Sequence, residues 1–259
     1  SKDYDLIDIN QSNEMINYYK PDTVVHLAGR VGGLLDNINR PVNYFEENIL
    51  INTNVVKSCY DFGVDNFITT LSTCIYPDVV NNYPMKEIQM FDGPPPAGNF
   101  HYAISKRAML AQVDAYNKQY NKNWSCLIPC NLYGEYDKYT EHNSHFVGAL
   151  VKKIYESKNN EIELWGTGKP LRQFMYGGDL ARVIKHMIFN KVSGVYNVAP
   201  KYVHSINDIA NIAVKSCGKD GLKIIYDNKK PDGQYRKDVD SSKLLSVIED
   251  FNFTSLEDG

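Results

Sequence analysis

A short strand pattern runs directly into side chains that could carry out acid–base chemistry. Residues 66–71 are rich in β-branched and aromatic side chains, and Ser72 and Cys74 follow at the point where this pattern stops. In parallel α/β sheets, reacting groups gather at such strand ends. About a helix further on, Tyr102 and Lys106 are four residues apart and so share one helix face. The spacing predicts a site where a hydroxyl, a thiol, a phenol and an amine meet.

Three of these residues have the types needed to protonate or deprotonate a carbinol oxygen. Ser72 would position the substrate oxygen, Tyr102 would exchange a proton with it, and Lys106 would lower the pKa of the phenol and hold a ribose hydroxyl. The tyrosine–lysine spacing is weak evidence by itself, because a chain with 19 tyrosines produces such pairs by chance. With Ser72 on the preceding strand end, the set predicts hydride-transfer chemistry.

The elements that must position these residues alternate between helix and strand, as in a parallel sheet. Strands are predicted at residues 23–28, 66–71, 124–129, 162–165, 195–198 and 222–226. Helices are predicted at residues 12–19, 42–62, 101–120, 146–157, 179–190, 205–217 and 241–247. The fold class is therefore α/β, a doubly wound, mostly parallel sheet with a smaller α/β substrate-binding domain. The first domain would comprise residues 1–134 and 174–199, and the second residues 135–173 and 200–259, with the cleft between them.

Composition narrows the class of protein. The chain has 259 residues, 43% of them hydrophobic, and a net charge of −3 without a basic stripe. This argues against nucleic acid or an anionic membrane as the main partner. No apolar run approaches the roughly 18 residues of a membrane span, and the first residues do not resemble a secretion signal, so we expect a cytoplasmic protein. The five cysteines are scattered and match neither a disulfide framework nor a zinc site, and we expect no metal.

Several longer motifs carry a family resemblance. They are His26-Leu27-Ala28-Gly29, Val31-Gly32-Gly33-Leu34, residues 71–77, 102–106 and 129–134, Asn143-Ser144-His145, Trp165-Gly166-Thr167-Gly168, Arg172-Gln173-Phe174 and Pro231-Asp232-Gly233-Gln234. Together they resemble the extended, nucleotide-sugar branch of the short-chain dehydrogenase/reductase superfamily, whose larger domain is a Rossmann-type sheet. The more specific resemblance is to the GDP-L-fucose synthase family, which epimerises and reduces GDP-4-keto-6-deoxy-D-mannose with NADPH.

The resemblance implies two catalytic groups. Ser72, Tyr102 and Lys106 would perform the reduction, while Cys74 and His145 would be the acid and base of the epimerisation. The chemistry is consistent with this assignment, because a ketone acidifies the hydrogens on its neighbouring carbons. Inversion then needs a base on one face and an acid on the other, each with a pKa near neutrality, which suits cysteine and histidine.

The resemblance also implies the binding residues and partners. NADPH would contact Leu27, Ala28, Gly29, Lys106, Pro129, Asn131, Leu132 and His145. The GDP-sugar would contact Lys153, Trp165, Arg172 and Asp232, whose cationic and aromatic side chains suit a diphosphate and a flat ring. We expect a homodimer formed through the long helices at residues 42–62 and 101–120.

Two alternatives stay open at the level of sequence. A nucleotide-sugar 4-epimerase or dehydratase of the same superfamily would keep Ser72, Tyr102 and Lys106 but would not need Cys74 and His145. The strand, glycine-rich turn and helix that open a dinucleotide-binding domain are also missing from the first residues of this sequence. The favoured explanation is that the ends of the chain are missing. The alternative is a short form that binds the nucleotide sugar without catalysing a reaction.

Overall fold

The computed structural model describes residues 3–139, 144–230 and 232–259, so Asn143 and Pro231 of the quoted motifs lie outside the described residues. The helices are α1 (Ile9–Tyr19), α2 (Leu34–Asn39), α3 (Pro41–Asp61), α4 (Phe100–Tyr120), α5 (Phe146–Glu156), α6 (Gly177–Asn190), α7 (Ile206–Ser216) and α8 (Ser242–Leu245). The strands are β1 (Thr23–His26), β2 (Asn66–Thr70), β3 (Ser125–Pro129), β4 (Asn131–Tyr133), β5 (Glu161–Trp165), β6 (Leu171–Arg172), β7 (Phe174–Tyr176), β8 (Val195–Val198), β9 (His204–Ser205), β10 (Lys223–Asp227) and β11 (Arg236–Lys237).

The main sheet is four parallel strands in the order β1-β2-β3-β8. All five residues of β3 are buried, which is the pattern of a strand covered on both faces. The predicted α/β class with a mostly parallel sheet is confirmed. Because the strands are parallel, the segments that follow β1, β2 and β3 leave the same edge of the sheet, where the predicted catalytic and cofactor residues lie.

Local signals explain where the long helices begin and end. Pro41 occupies the first turn of α3, where its missing N–H costs nothing. After α3, Gly63 adopts a φ of +74°, a conformation that stops a helix and that glycine accepts without strain. The predicted capping box of α7 is present, since Ser205 and Asp208 exchange hydrogen bonds with each other's backbone N–H groups.

Smaller sheets lie beyond the carboxyl edge of the main sheet. β5 pairs in parallel with β10, and β4 with β7. β6 pairs in parallel with β11 and antiparallel with β9. Apart from β5 and β10, these strands have two or three residues and were not predicted, because they depend on distant partners and not on a local pattern. Helix α2 was not predicted either, since no helix was assigned to residues 34–39.

Buried apolar residues form two clusters. One lies against the main sheet, and the other contains Tyr133, Leu150, Ile162, Phe174 and Ile209 with their neighbours. Residues 239, 244 and 248 pack with the first cluster, although their position late in the chain placed them in the predicted second domain. The predicted division into two domains stays a prediction. Over residues 3–139, 144–230 and 232–259, no helix is both long enough and apolar enough to cross a bilayer.

Candidate active site at the carboxyl edge of the sheet

The segment after β2 holds Ser72 and Cys74 in a defined turn. Ser72 has extended backbone angles and precedes a short 3-10 turn, Thr73–Ile75, whose start it caps. Its hydroxyl oxygen accepts a hydrogen bond of 3.3 Å from the backbone N–H of Cys74. Ser72 therefore stabilises the turn that carries Cys74. Both side chains are half-buried at the carboxyl edge of the main sheet.

Two nitrogen donors converge on the Cys74 sulfur. The amide Nδ2 of Asn99 lies 2.8 Å from Sγ, and the ammonium of Lys237 lies 3.1 Å from it. Burial by itself disfavours the thiolate, but the charge of Lys237 and the hydrogen bonds from Ser72, Lys237 and Asn99 outweigh it and lower the pKa of Cys74. These surroundings therefore favour the thiolate form of Cys74.

Sequence reasoning missed Lys237 and Asn99. Lys237 is 163 residues from Cys74 in the chain, and Asn99 is 25 residues away. Neither residue has a local pattern that would point to a thiol. Only the pairing of β11 with β6 and the fold of the loop at residues 72–99 bring them to the cysteine.

Tyr102 and Lys106 share one face of α4, as their spacing predicts. Lys106 is only 4% exposed and donates a hydrogen bond of 3.0 Å to the carbonyl of Thr70, at the end of β2. Its ammonium lies 5.9 Å from the centroid of the Tyr102 ring. Burial lowers the pKa of Lys106 to about 8. The lysine is therefore anchored to the strand that also delivers Ser72.

The predicted effect of Lys106 on Tyr102 is wrong in this structure. Burial raises the pKa of Tyr102, and the nearby Cys74 and Tyr44 raise it further, so the phenol stays protonated. The Tyr44 ring contacts the Tyr102 ring edge to face, with centroids 6.3 Å apart. A neutral phenol is suited to donating a proton to an oxygen that gains charge, which is the direction of a reduction.

The turn after β1 comes close to the Lys106 ammonium. A Cβ placed on Gly29 would lie 3.8 Å from Lys106 Nζ and 2.9 Å from Asn48 Oδ1, so only a glycine leaves this space open. Leu27 is 57% exposed beside it, and Leu132 after β3 is also exposed. The predicted cofactor residues Ala28, Pro129 and Asn131 flank these positions, and Asn131 Nδ2 donates to the carbonyl of Gln173. This edge of the sheet thus combines the exposed side chains of Leu27 and Leu132, the uncovered backbone at Gly29 and the buried ammonium of Lys106.

His145 begins α5 as its capping residue and is exposed. The preceding residue, Ser144, approaches the Val31-Gly32-Gly33 loop, because a Cβ on Gly33 would lie 3.9 Å from the Ser144 carbonyl oxygen. The same loop continues into Leu34, which packs against Gly98, next to Asn99. The start of α5 therefore lies near the loop that leads to Leu34, which packs beside Asn99, the partner of Cys74.

The predicted nucleotide-sugar residues occupy the strands and turns beyond this edge. Arg172 on β6 is half-buried, and its electrostatic neighbours include both Asp232 and Cys74. Asp232 accepts hydrogen bonds from the backbone N–H and the hydroxyl of Thr167, at 2.6 Å and 2.8 Å. These bonds lower the pKa of Asp232 and close the turn after β5.

The two other predicted nucleotide-sugar residues, Trp165 and Lys153, lie on β5 and α5. Trp165 ends β5 and is 51% exposed, with the Lys230 ammonium 5.2 Å from its ring centroid. Lys153 is exposed on α5 and donates a hydrogen bond of 2.9 Å to the carbonyl of Glu163, on β5. The geometry thus joins Arg172 to the cysteine site, while Trp165 lies on β5 of the separate β5–β10 sheet and Lys153 on helix α5.

Comparisons with known proteins agree with this description. Residues 2–199 match the profile of the NAD dependent epimerase/dehydratase family. A Dictyostelium discoideum protein described as GDP-L-fucose synthase is 38% identical, over 99% of this chain and 81% of that protein. A Yersinia pseudotuberculosis protein described as GDP-L-colitose synthase is 33% identical, over 100% of this chain and 85% of that protein. A crystal structure of a GDP-L-fucose synthetase from Naegleria fowleri, bound to NADP, has a TM-score of 0.90 and 32% identity, over 100% of this chain and 81% of that chain.

Proposed function

The chain belongs to the NAD dependent epimerase/dehydratase family, and from this premise we propose that it converts GDP-4-keto-6-deoxy-D-mannose to GDP-L-fucose. The reaction has two parts, epimerisation at C3 and C5 and NADPH-dependent reduction at C4. The observation that carries the proposal is the Cys74 sulfur held between Lys237 and Asn99, close enough to Tyr102 to raise the pKa of that phenol. A reductase without an epimerisation step has no use for such a thiol.

In the epimerisation, Cys74 removes the proton from a ring carbon next to the ketone. The C–H electron pair moves onto the carbonyl oxygen and forms an enolate, and the proton goes to the sulfur. His145 then donates a proton to the opposite face of the carbon, and the enolate collapses back to the ketone. Proton exchange with water returns Cys74 and His145 to their starting states before the second centre is inverted.

In the reduction, Tyr102 donates its phenolic proton to the C4 oxygen, and Ser72 positions that oxygen with its hydroxyl. NADPH, when bound, supplies the hydride to C4. Lys106, whose ammonium lies 5.9 Å from the centroid of the Tyr102 ring, would hold a ribose hydroxyl of the cofactor beside Gly29. The raised pKa of Tyr102 supports this direction, because the phenol remains protonated until charge develops on the sugar oxygen.

The residues at the sheet edge fit such a cofactor. The open space at Gly29 faces the buried Lys106 ammonium, and exposed Leu27 offers apolar surface. We assign this edge to the cofactor, through Leu27, Ala28, Gly29, Lys106, Pro129, Asn131, Leu132 and His145. Arg172 would bind the diphosphate of the GDP-sugar, with Trp165, Asp232 and Lys153 as further contacts.

Three further assignments belong to this proposal. A homodimer would form through α3 and α4, and the exposed apolar residues Val42, Phe45 and Leu50 on α3 support this surface. A cytoplasmic location is supported by five cysteines that are all unpaired. The predicted domain division would place the cofactor on the main sheet and the GDP-sugar on the smaller sheets.

The proposal is tested with GDP-4-keto-6-deoxy-D-mannose in heavy water. Without NADPH, the purified protein should introduce deuterium at C3 and C5, and with NADPH it should form GDP-L-fucose. The product is identified directly, since one relative is described as acting on a different sugar. Cys74→Ser should lose most of the deuterium incorporation, His145→Gln should lose the inversion of C3 and C5 because no acid then serves the opposite face, and Tyr102→Phe should keep the incorporation and lose the reduction.

Each rival predicts a different result. A 4-epimerase would leave C3 and C5 unlabelled, and a dehydratase would leave C3 unlabelled. A module that only binds the nucleotide sugar would give neither labelling nor NADPH oxidation. Normal labelling by Cys74→Ser would contradict the assigned base, and normal inversion by His145→Gln would contradict the assigned acid.

A further inference from the structure

The ammonium of Lys237 is placed at Cys74 by fixed backbone on both sides. β11 pairs with β6, with Lys237 opposite Arg172 in the register. The next two residues are also tied down, since the Asp238 carbonyl accepts a hydrogen bond from the backbone N–H of Met85, and the Val239 N–H donates to Gln173. Lys237 is therefore aimed at the sulfur by the fold, unlike a surface cation that reaches a neighbour by chance.

We infer that Lys237 is a positioning residue that, together with Asn99, holds the Cys74 side chain as a thiolate before substrate binds. The inference rests on the proposed function, in which Cys74 removes a proton from the carbon beside the ketone. A thiolate can accept that proton directly. A thiol would first have to give its own proton to another base.

The groups that face the sulfur favour this state. Lys237 contributes a charge-assisted contact of 3.1 Å and Asn99 an N–H donor at 2.8 Å. The Arg172 guanidinium, on the neighbouring strand, and the neutral Tyr102 phenol are both close enough to interact electrostatically with the sulfur. The pKa of Cys74 is lowered although burial acts in the opposite direction, so the attraction of these donors decides the outcome.

Lys237 could instead serve the diphosphate of the substrate, and the two roles differ in what they require. A lysine that only binds phosphate changes substrate affinity and leaves the free thiol unaffected. A lysine that holds the thiolate changes the reactivity of Cys74 when no substrate is present. Arg172 stands one strand away and can contact the diphosphate without Lys237.

The ionisation of Cys74 can be measured without substrate, from the rate at which iodoacetamide alkylates it across a range of pH. Only the thiolate reacts, so the pH midpoint of the rate reports the ionisation of the sulfur. Peptide mass spectrometry reads Cys74 and the exposed Cys217 separately in one sample, which makes Cys217 an internal reference. In the unaltered protein, the Cys74 midpoint should lie below the roughly 8.5 of an ordinary thiol.

In Lys237→Met, the midpoint should rise by at least about one pH unit, because an opposite charge at this distance shifts an ionisation by roughly 1–3 units. Lys237→Arg should restore most of the shift, and Lys201→Met, at an exposed lysine elsewhere, should leave it unchanged. Circular dichroism establishes that each variant is folded.

Three results would overturn the inference. They are an unaltered protein whose Cys74 midpoint lies above that of an ordinary thiol, a Lys237→Met midpoint equal to the original, and a Lys237→Met variant that changes only the KM for the GDP-sugar. The first result is measured on the unaltered protein, so the inference can be refuted even if the Lys237→Met variant does not fold. Loss of the proposed function would be seen separately, as an absence of deuterium incorporation despite a shifted alkylation midpoint.

Discussion

Replacing Lys106 with methionine should make the protein more stable and inactive in reduction. The ammonium is 4% exposed, and its pKa falls from an ordinary 10.5 to about 8 in the folded chain. A shift of about 2.5 units corresponds to roughly 3 kcal/mol against folding at pH 7, at about 1.36 kcal/mol per unit. Methionine has a similar length and removes the charge. It also leaves the Thr70 carbonyl without its donor, which costs about 1 kcal/mol. The net gain is about 2 kcal/mol.

The sign of the pH dependence follows from the direction of the shift. Because the folded chain has the lower pKa, the unfolded chain binds more protons between about pH 8 and pH 10.5, and the stability of the original protein rises with pH there. The Lys106→Met variant lacks this rise. Its advantage of about 2 kcal/mol at pH 7 should therefore disappear by about pH 9.5, where the charge costs the original chain only about 1 kcal/mol.

Urea unfolding at several pH values measures this difference, and thermal unfolding at pH 7 should show an increase of very roughly 4–8 °C. Lys118→Met is the matched control, since Lys118 lies on the same helix and is exposed, paired only with Asp114. Surface pairs of this kind contribute little, so its stability should change by less than about 1 kcal/mol at either pH. A Lys106→Met variant that is less stable than the original at pH 7, or that follows the same pH dependence, would refute the reasoning.

Two further predictions concern the chemistry and the binding of the GDP-sugar. Tyr102→Phe keeps the ring contact with Tyr44 but has no proton to donate, so NADPH oxidation with the keto-sugar should fall by about 10²–10⁴-fold, measured from the NADPH absorbance. An unchanged rate would remove Tyr102 from the reduction. Arg172→Met should raise the KM for the GDP-sugar by roughly 10–100-fold and leave the deuterium exchange at saturation near its original value, because a hydrogen bond to a charged group contributes about 1.5–3 kcal/mol. An unchanged KM would contradict the contact with the diphosphate.

The main sheet could be predicted because its strands are defined by local pattern. Residues 23–28, 66–71 and 124–129 were each predicted within one or two residues of the observed strands, since buried parallel strands read as short apolar runs. The two- and three-residue strands could not be found in this way. β6 and β11 pair with each other although they are 65 residues apart in the chain, β6 also pairs with β9, and no local signal marks any of the three.

The residues of the candidate site also fall into two groups, those that a local sequence pattern marks and those that it does not. Ser72, Cys74, Tyr102 and Lys106 could be identified because a strand end and a helical spacing of four are visible in the sequence. Asn99 and Lys237 could not, since their role depends on where the chain returns in space. The pKa of Tyr102 was also predicted in the wrong direction, because proximity to a lysine is readable from spacing whereas burial is not.

The two reactive groups, Cys74 and Tyr102, are coupled through their charges, and this coupling acts in the same direction as the order that the ketone imposes on the proposed steps. A thiolate at Cys74 raises the pKa of Tyr102, so the phenol holds its proton while the sulfur is still charged. When the sulfur takes a proton from the sugar, that repulsion disappears and the phenol becomes a better donor. Reduction first would consume the ketone that acidifies C3 and C5, so epimerisation must come first, and the charge coupling between Cys74 and Tyr102 favours the same order. The Lys106→Met variant does not remove this coupling, whereas Cys74→Ser does, so in Cys74→Ser the phenol should lose its proton at a lower pH than in the original protein.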